Sequence, residues 1–427
     1  WRGLIQRLVS QAEVLSENGQ TIDQIFAQLN PQTHTLGCIF LLHCKVKGGH
    51  FNADAPAFMN QVKQTMLEGH AGQMKQLRGR CCEVARTFAE VCRNNGQALF
   101  GIRPLLAAID KVRESPEYLI SIHSDLLQLC LLSKNFKPAL LLLDQRILAV
   151  SKEKESLMAR DFLLYFYYGG KVYTALKSFH RALDMFQLAF TMPCHALNEI
   201  MVEIHKKYLL VSLIVHGEVQ TLPKDTAGLV QRLLKNCCAE YNEIAQALST
   251  HKVEEVENMV NKHKELLMKD KNYGLAKQAL ASVYSRNISR LTQTFVTLSL
   301  NDIAHQVGLP DADHARNQIL DMIEKGQILA TIDEQKGMVS FDTEPDKTTS
   351  HQLLARLSAQ IQTAMELNEK LRAVDEAISS NPKYLSKVSI QERQSRWGEP
   401  EWASAGATAD EMLDVGEKPP GFNYGKA

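Results

Sequence analysis

Apolar residues along this chain follow three rhythms, and each predicts a different kind of structure. From about residue 58 to about residue 290 they recur every three or four positions, broken by short polar or Gly/Pro stretches, without strict alternation. That spacing predicts helix after helix. It is already present at Leu4, Ile5, Leu8, Val9, Ala12 and Leu15, with Pro31, Gly48, Gly49 and Pro56 as punctuation behind it.

Between Ser299 and Asp342 the rhythm changes twice. Ser299 reads as a helix N-cap with Asp302 three residues on. Leu300, Ile303, Ala304 and Val307 form the stripe of a short helix, which Gly308 stops and Pro310 prevents from continuing. Asp311 and Asp313 open a second helix, where negative charge suits the positive helix end. Its stripe is Ala315, Ile319, Met322 and Ile323, and Gly326 ends it. The period then shortens to two. Ile328, Ala330 and Ile332 alternate with Leu329 and Thr331, and Val339 and Phe341 alternate after a turn in which Gly337 is free to take positive φ. Helix, tight turn, helix, hairpin predicts a winged helix. A helix over about residues 275–291 completes its three-helix core.

The third rhythm follows a polar linker, residues 343–350. Leu354, Leu357, Ile361, Met365, Leu371, Val374 and Ile378 predict one long helix whose stripe is interrupted by Asn368 and which ends at Asn381-Pro382. From about residue 386 to Ala427 the chain is rich in Gly, Pro, Ser, Ala and charge, which predicts a disordered tail.

Within the helical stretch a loose repeat shows through. Ile102, Phe136 and Phe179 hold one position, Leu106, Leu140 and Leu183 a second, and Ile109, Leu143 and Phe186 a third. Helical hairpins of this kind cannot bury their apolar faces alone and must stack. The predicted fold is therefore mostly α: a right-handed helical-repeat solenoid over residues 1–200, then a module over 201–342 whose helices lead into the winged helix at about 275–342. A long helix over 351–380 and a tail over 386–427 follow. Phe162–Tyr173, with Tyr165, Tyr167, Tyr168 and Tyr173, reads as the aromatic first helix of one hairpin, and Gly169-Gly170 lets its neighbour approach closely. A base-stacking surface needs interleaved Arg or Lys, and only Lys171 is present in that segment.

Composition narrows the classes. The chain has 427 residues, enough for two or three domains at about 150 residues each. Lys+Arg and Asp+Glu are both 48, a balance that argues against a general nucleic-acid or membrane binder. No apolar run reaches the roughly 18 residues that span a bilayer. The charged n-region and cleavage site of a signal peptide are missing, and Trp1 stands where an initiator Met is expected, which predicts a missing true N-terminus. Nine scattered cysteines without a C-x-x-C predict reduced thiols in an intracellular protein.

Motifs that carry chemistry are sparse. His34, Cys38, His43 and Cys44 are the densest metal-type cluster, but their spacing is not the paired C-x₂₋₄-C of structural zinc sites, and the reading is buried thiols with partly exposed histidines. No H-E-x-x-H and no His-x-His pair occurs. Gly169-Gly170-Lys171 lacks the upstream Gly of a phosphate loop and has Val172 where Ser or Thr must hold magnesium. No catalytic, cofactor-binding or metal-binding residue is expected. The second helix of the winged helix carries Asp311, Asp313, Asp321 and Glu324 against Arg316 and Lys325, with only Asn317 and Gln318 suited to reading bases. Acidic residues facing phosphates are repelled, so nucleic-acid regulation stands as the alternative.

Helical repeats running into a winged helix resemble the PCI-domain family, shared by the proteasome lid, the signalosome and a translation initiation factor. Ser121-Ile-His-Ser-Asp-Leu-Leu-Gln-Leu-Cys-Leu-Leu132, Tyr167-Tyr-Gly-Gly170, His205-Lys-Lys-Tyr-Leu-Leu-Val-Ser-Leu213 and Asn261-Lys-His263 are similar to the signalosome members. So are Leu291-Thr-Gln-Thr-Phe-Val-Thr-Leu-Ser-Leu300 and Gly337-Met-Val-Ser-Phe341. The resemblance covers about residues 30–385. It implies a non-catalytic scaffold in the nucleus and cytoplasm, within the complex that removes a ubiquitin-like modifier from the cullins of cullin–RING ligases. It implies other signalosome subunits as partners, with subunits 1 and 8 as neighbours, and a common bundle of C-terminal helices. Scaffolds of the proteasome lid or the initiation factor are alternatives within the family.

Two surfaces are expected to bind partners. One is the hairpin, at Ile328, Leu329, Ala330 and Met338, where Ile328, Ala330, Ile332, Val339 and Phe341 are expected to face the core and the strand edge leaves unpaired N–H and C=O groups for a neighbour. The other is the long helix, through Leu354, Leu357, Ile361 and Leu371. A helix folded back on its own solenoid would use the same stripe.

Overall fold

The computed structural model describes residues 8, 12–17, 19–52, 54–145, 147–150, 157–192, 196–250, 252–341 and 351–388. The chain divides into two compact units, Trp1–Asp342 and Thr343–Ala427. The first begins with α1 (Ala12–Glu17), α2 (Gly19–Gln28), α3 (Thr35–Lys47), α4 (Ala55–Glu68) and α5 (Ala71–Gln76). Most of the predicted first helix lies outside the described residues. Three hairpins follow: α6 (Arg78–Asn94) with α7 (Ala98–Val112), α8 (Ile122–Leu132) with α9 (Lys137–Leu143), and α10 (Ala159–Ala175) with α11 (Phe179–Phe190). A short parallel pair, β1 (Tyr118–Leu119) and β2 (Ala149–Val150), brackets the middle hairpin. Two residues are too few to show a period of two in the sequence.

The repeat is clearest in the turns. Gly96, Lys134 and Lys177 each take positive φ directly after the first helix of a hairpin. In each case the next amide reaches back five residues: Gln97 N–H to Cys92 C=O at 2.9 Å, Asn135 to Cys130 at 3.1 Å, and Ser178 to Tyr173 at 2.9 Å. The same left-handed C-cap satisfies the last helical carbonyls three times over. The repeat positions Ile109, Leu143 and Phe186 are buried, as are Ile102 and Leu183. At Gly170 an added Cβ would stand 2.2 Å from Cε1 of Phe186, and at Gly169 3.0 Å from Cδ2 of Leu143, so both glycines admit the packing of neighbouring helices.

Next come α12 (Glu199–His216), α13 (Gly228–Cys237), α14 (Ala239–Ser249), α15 (Val253–Lys262), α16 (Lys264–Lys269) and α17 (Tyr273–Thr294). Two of these helices join separate cores. Met201, Ile204, Tyr208 and Val211 of α12 belong to the solenoid core, while Leu209, Leu210 and Leu213 belong to the next one. The predicted division at residue 200 thus falls in the first turn of a helix buried on two sides. Ala276, Ala279 and Val283 of α17 complete this second core, and Ile288 of the same helix enters the third.

The third core is the winged helix. It contains β3 (Thr297–Ser299), α18 (Leu300–Val307), α19 (Ala312–Glu324), β4 (Ala330–Asp333) and β5 (Met338–Phe341). Ser299 caps α18 as its sequence predicts, its Oγ accepting from Asp302 N–H at 3.1 Å. Gly308 and Gly337 take positive φ. Leu300, Ile303, Ala304, Val307, Ala315, Ile319 and Met322 are buried together. The predicted hairpin is a three-stranded antiparallel sheet in the order β3-β5-β4. The second unit's described part contains α20 (His351–Ser379), and helical turns resume at residues 382–388. The predicted linker and most of the predicted tail lie outside the described residues.

Candidate functional site

Each residue expected to bind a partner has a definite place in the structure. Ile328 lies before β4 and is buried in the winged-helix core, so its side chain faces inward. Leu329 beside it is exposed, and Ala330, the first residue of β4, is half-buried opposite Phe341. Met338 is exposed but sits on β5, opposite Ser299 of β3 and Asp333 of β4. The expected hairpin edge is narrowed: backbone groups of β5 are used on both sides, and β3 and β4 are the outer strands of the described sheet.

The β3 edge is short. Phe341 N–H donates to Val296 C=O at 2.8 Å, and Leu300 N–H donates to Gly337 C=O at 2.9 Å. In an antiparallel ladder the alternate residues Thr297 and Ser299 therefore turn their amides away from β5. Val296, 76% exposed, and Phe295 flank this edge. The hairpin reading passed over them because a three-residue strand attached to a helix cap carries little periodic signal.

α19 is held as an acidic surface. Arg316 pairs with Glu334, and Lys325 pairs with Asp321. Gln318 donates to the Ser285 hydroxyl of α17 at 3.0 Å. Both cations of α19 and one of its two base-reading amides are thus engaged within the protein, while Asn317 is exposed.

The stripe of α20 is open. Leu354, Leu357, Ile361 and Leu371 run from 45% exposed at Leu357 to 67% at Leu371, and Met365, Val374 and Ile378 are exposed as well.

Nucleophile chemistry finds no support in the interior. Burial pushes the thiols of Cys38, Cys82, Cys130 and Cys238 up to about 11 and that of Cys92 to about 12, so they are protonated at neutral pH. Cys38, His43 and Cys44 are buried on α3, where His43 Nε2 lies 2.8 Å from Glu83, while His34 is exposed beside Thr33. Among the described residues no three His, Cys, Asp or Glu side chains are grouped to hold a metal. Arg86 of α6 donates to the buried Asp161 of α10 at 2.6 Å. Nearby Asp125 is raised to about 7 by burial and has a carboxylate oxygen shut off from solvent. His123, lowered to about 4 by burial, accepts from or donates to Ile120 of its own turn.

Stacked helical hairpins that share their last helix with a winged helix define a PCI-type scaffold. Comparison with known proteins is specific within that class. A family model for the N-terminal helical repeats of COP9 signalosome complex subunit 3 matches residues 1–230, and the PCI domain matches residues 260–343. COP9 signalosome complex subunit 3 of Dictyostelium discoideum is 35% identical over 386 residues, covering 90% of this chain and 92% of its own length. The protein of the same name from Drosophila melanogaster is 34% identical over 406 residues, 91% of each chain. The chain belongs to the COP9 signalosome subunit 3 family, a family of PCI scaffolds.

Proposed function

We propose that this protein is a non-catalytic scaffold subunit of the signalosome, the assembly that removes a ubiquitin-like modifier from cullins, and that it assembles through two surfaces. The observation that carries this reading is the stripe of α20. Leu354, Leu357, Ile361, Met365, Leu371, Val374 and Ile378 recur at helical spacing along α20 and are all exposed, with Asn368 interrupting them. Such a stripe suits packing against partner helices. Asn368 within the stripe helps fix register. Each apolar side chain covered by a partner helix contributes roughly 1.5–3 kcal/mol. The outer strands β3 and β4, with exposed Leu329 and Met338 beside them, supply the second surface, toward neighbours of the same domain type. Subunits 1 and 8 are the neighbours we assign to it. The protonated thiols and the carboxylate-paired cations of α19 support a role without catalysis or direct nucleic-acid binding.

The test is Leu357→Asp with Ile361→Asp. The isolated subunit should keep its helix content, while incorporation into the multi-subunit particle, read by native mass measurement, should be lost. Normal incorporation of this variant removes α20 from the assembly.

A further inference from the structure

One cavity of the first unit has an unbalanced charge. It has a volume of about 380 Å³ and opens where α10, α12 and the turn between α16 and α17 meet. Tyr167 and Lys171 line it from one turn of α10, Glu203 and Lys207 from one turn of α12, and Lys269 and Lys271 from the turn. Asp270 completes the lining.

Its carboxylates are already engaged. Lys206 Nζ donates to Glu203 Oε1 and to Asp270 Oδ2, both at 2.9 Å, and the Tyr241 hydroxyl donates to Asp270 at 2.8 Å. Lys207 lies 3.5 Å from Glu203 and donates to Asn272 Oδ1 at 3.0 Å. Lys171, Lys269 and Lys271 form no ion pair among the described residues. Lys171 and Lys207 lie instead over the Tyr167 ring, 5.1 and 5.6 Å from its centroid. Five ammonium groups therefore surround two carboxylates, an excess of three positive charges.

This crowding has a cost. The Lys171 ammonium is held below the usual lysine range by burial and by Lys207 and Lys271, and Lys207 is lowered by burial, with Lys206 adding to it. The Tyr167 phenol is pushed up to about 12, chiefly by burial, so its hydroxyl stays protonated and can donate. The left-handed backbone of Lys271 is no part of the argument, because Lys134 and Lys177 share it at equivalent turns.

We propose that this cavity is a phosphate-recognition site that takes a compact small molecule carrying two or more phosphoryl groups. Each phosphoryl group brings about −1.5 to −2 charge, so two of them match the excess. Lysine binds phosphate as a point charge, without the fixed fork that a single planar group needs. The volume lies at the small end of the roughly 300–1,000 Å³ of small-molecule pockets and exceeds what one phosphate fills. Nothing in the sequence announces the site, since its lysines come from three separate segments.

Inorganic tripolyphosphate titrated calorimetrically into the full chain tests the assignment, with orthophosphate for comparison. One saturable site is expected, weakened by added salt and tighter for tripolyphosphate than for orthophosphate. Lys171→Gln should weaken it about tenfold and Lys171→Gln with Lys269→Gln about a hundredfold, with melting of the unliganded variants unchanged. Lys75→Gln, at an exposed position of α5, should leave affinity intact. Absence of saturable binding, or equal affinity in wild type and the double variant, overturns the proposal. A doubly phosphorylated serine peptide is the second arm. Weaker binding than tripolyphosphate is expected, and tighter binding overturns the small-molecule assignment in favour of a phosphorylated chain.

Discussion

α18 and α20 are built on the same principle and end in opposite environments. Leu300, Ile303, Ala304 and Val307 of α18 are all buried, under α19 and the three-stranded sheet. Leu354, Leu357, Ile361 and Leu371 of α20 are all exposed. Apolar spacing states that a face is to be covered, and says nothing of what covers it. α18 finds its cover within about 45 residues of its own chain, because Gly308 and Gly337 make the turns that return the chain over it. α20 is a single helix of 29 residues with a stripe along its length. The difference separates a face that stabilises the fold from a face that is left exposed.

The largest expected effect tests that separation directly. Ile319→Ala in the winged-helix core should cost about 2–5 kcal/mol in denaturant unfolding of the full chain, by lost burial and the cavity left behind. Ile361→Ala should change stability by less than about 0.5 kcal/mol in the isolated subunit. Equal losses would mean that the α20 stripe is covered by its own chain, and the contrast between the two helices would fail.

A smaller effect distinguishes a covered face from an open one at glycines. Gly170→Ala drives a methyl group into Phe186 and should destabilise by about 1–3 kcal/mol. Gly274→Ala, in the first turn of α17 with nothing within 4 Å, should be neutral or stabilise by up to about 1 kcal/mol.

The finest test concerns what a covered face traps. Burial raises the Asp125 carboxyl to about 7, with Arg86 and Arg160 opposing and Asp161 and Glu90 reinforcing the shift. Between pH 4 and 7 the folded chain then holds a proton that the unfolded chain has released, so this group's contribution to stability falls as pH rises. Asp125→Asn removes that loss. Its stability relative to wild type should climb across this window, by at most about 1.4 kcal/mol per pH unit, and level off above it. A pH-independent difference would show that Asp125 is solvated.

Much of the fold was legible because its signals are local. The Ser299 cap, the stops at Gly308 and Gly326, the turn at Gly337 and the stripes of α18 and α19 depend on residues within one or two turns of each other. β3 was missed because three residues ahead of a cap have too short a period, and with it the fact that β5 is the central strand. Met338 therefore lost its place on an edge strand, while Ile328, Val339 and Phe341 are in the core where their alternation puts them. The hairpin turns at Lys134 and Lys177 were also hidden, since lysine rarely takes positive φ and only Gly96 advertises the position.

Taken alone, the sequence determined the class of each segment: helical repeats, a winged helix, then a long striped helix. Those follow from propensity, capping and period, which act over a few residues. Only the tertiary structure decided which stripes are covered, which strands are outermost in the sheet, and that Lys171, Lys207, Lys269 and Lys271 meet around one cavity. The single lysine beside Tyr167 in the sequence becomes a cluster because stacking brings α12 and the turn after α16 against α10. Charge and burial depend on distance in space, and segments separated by dozens of residues meet only when the chain has folded.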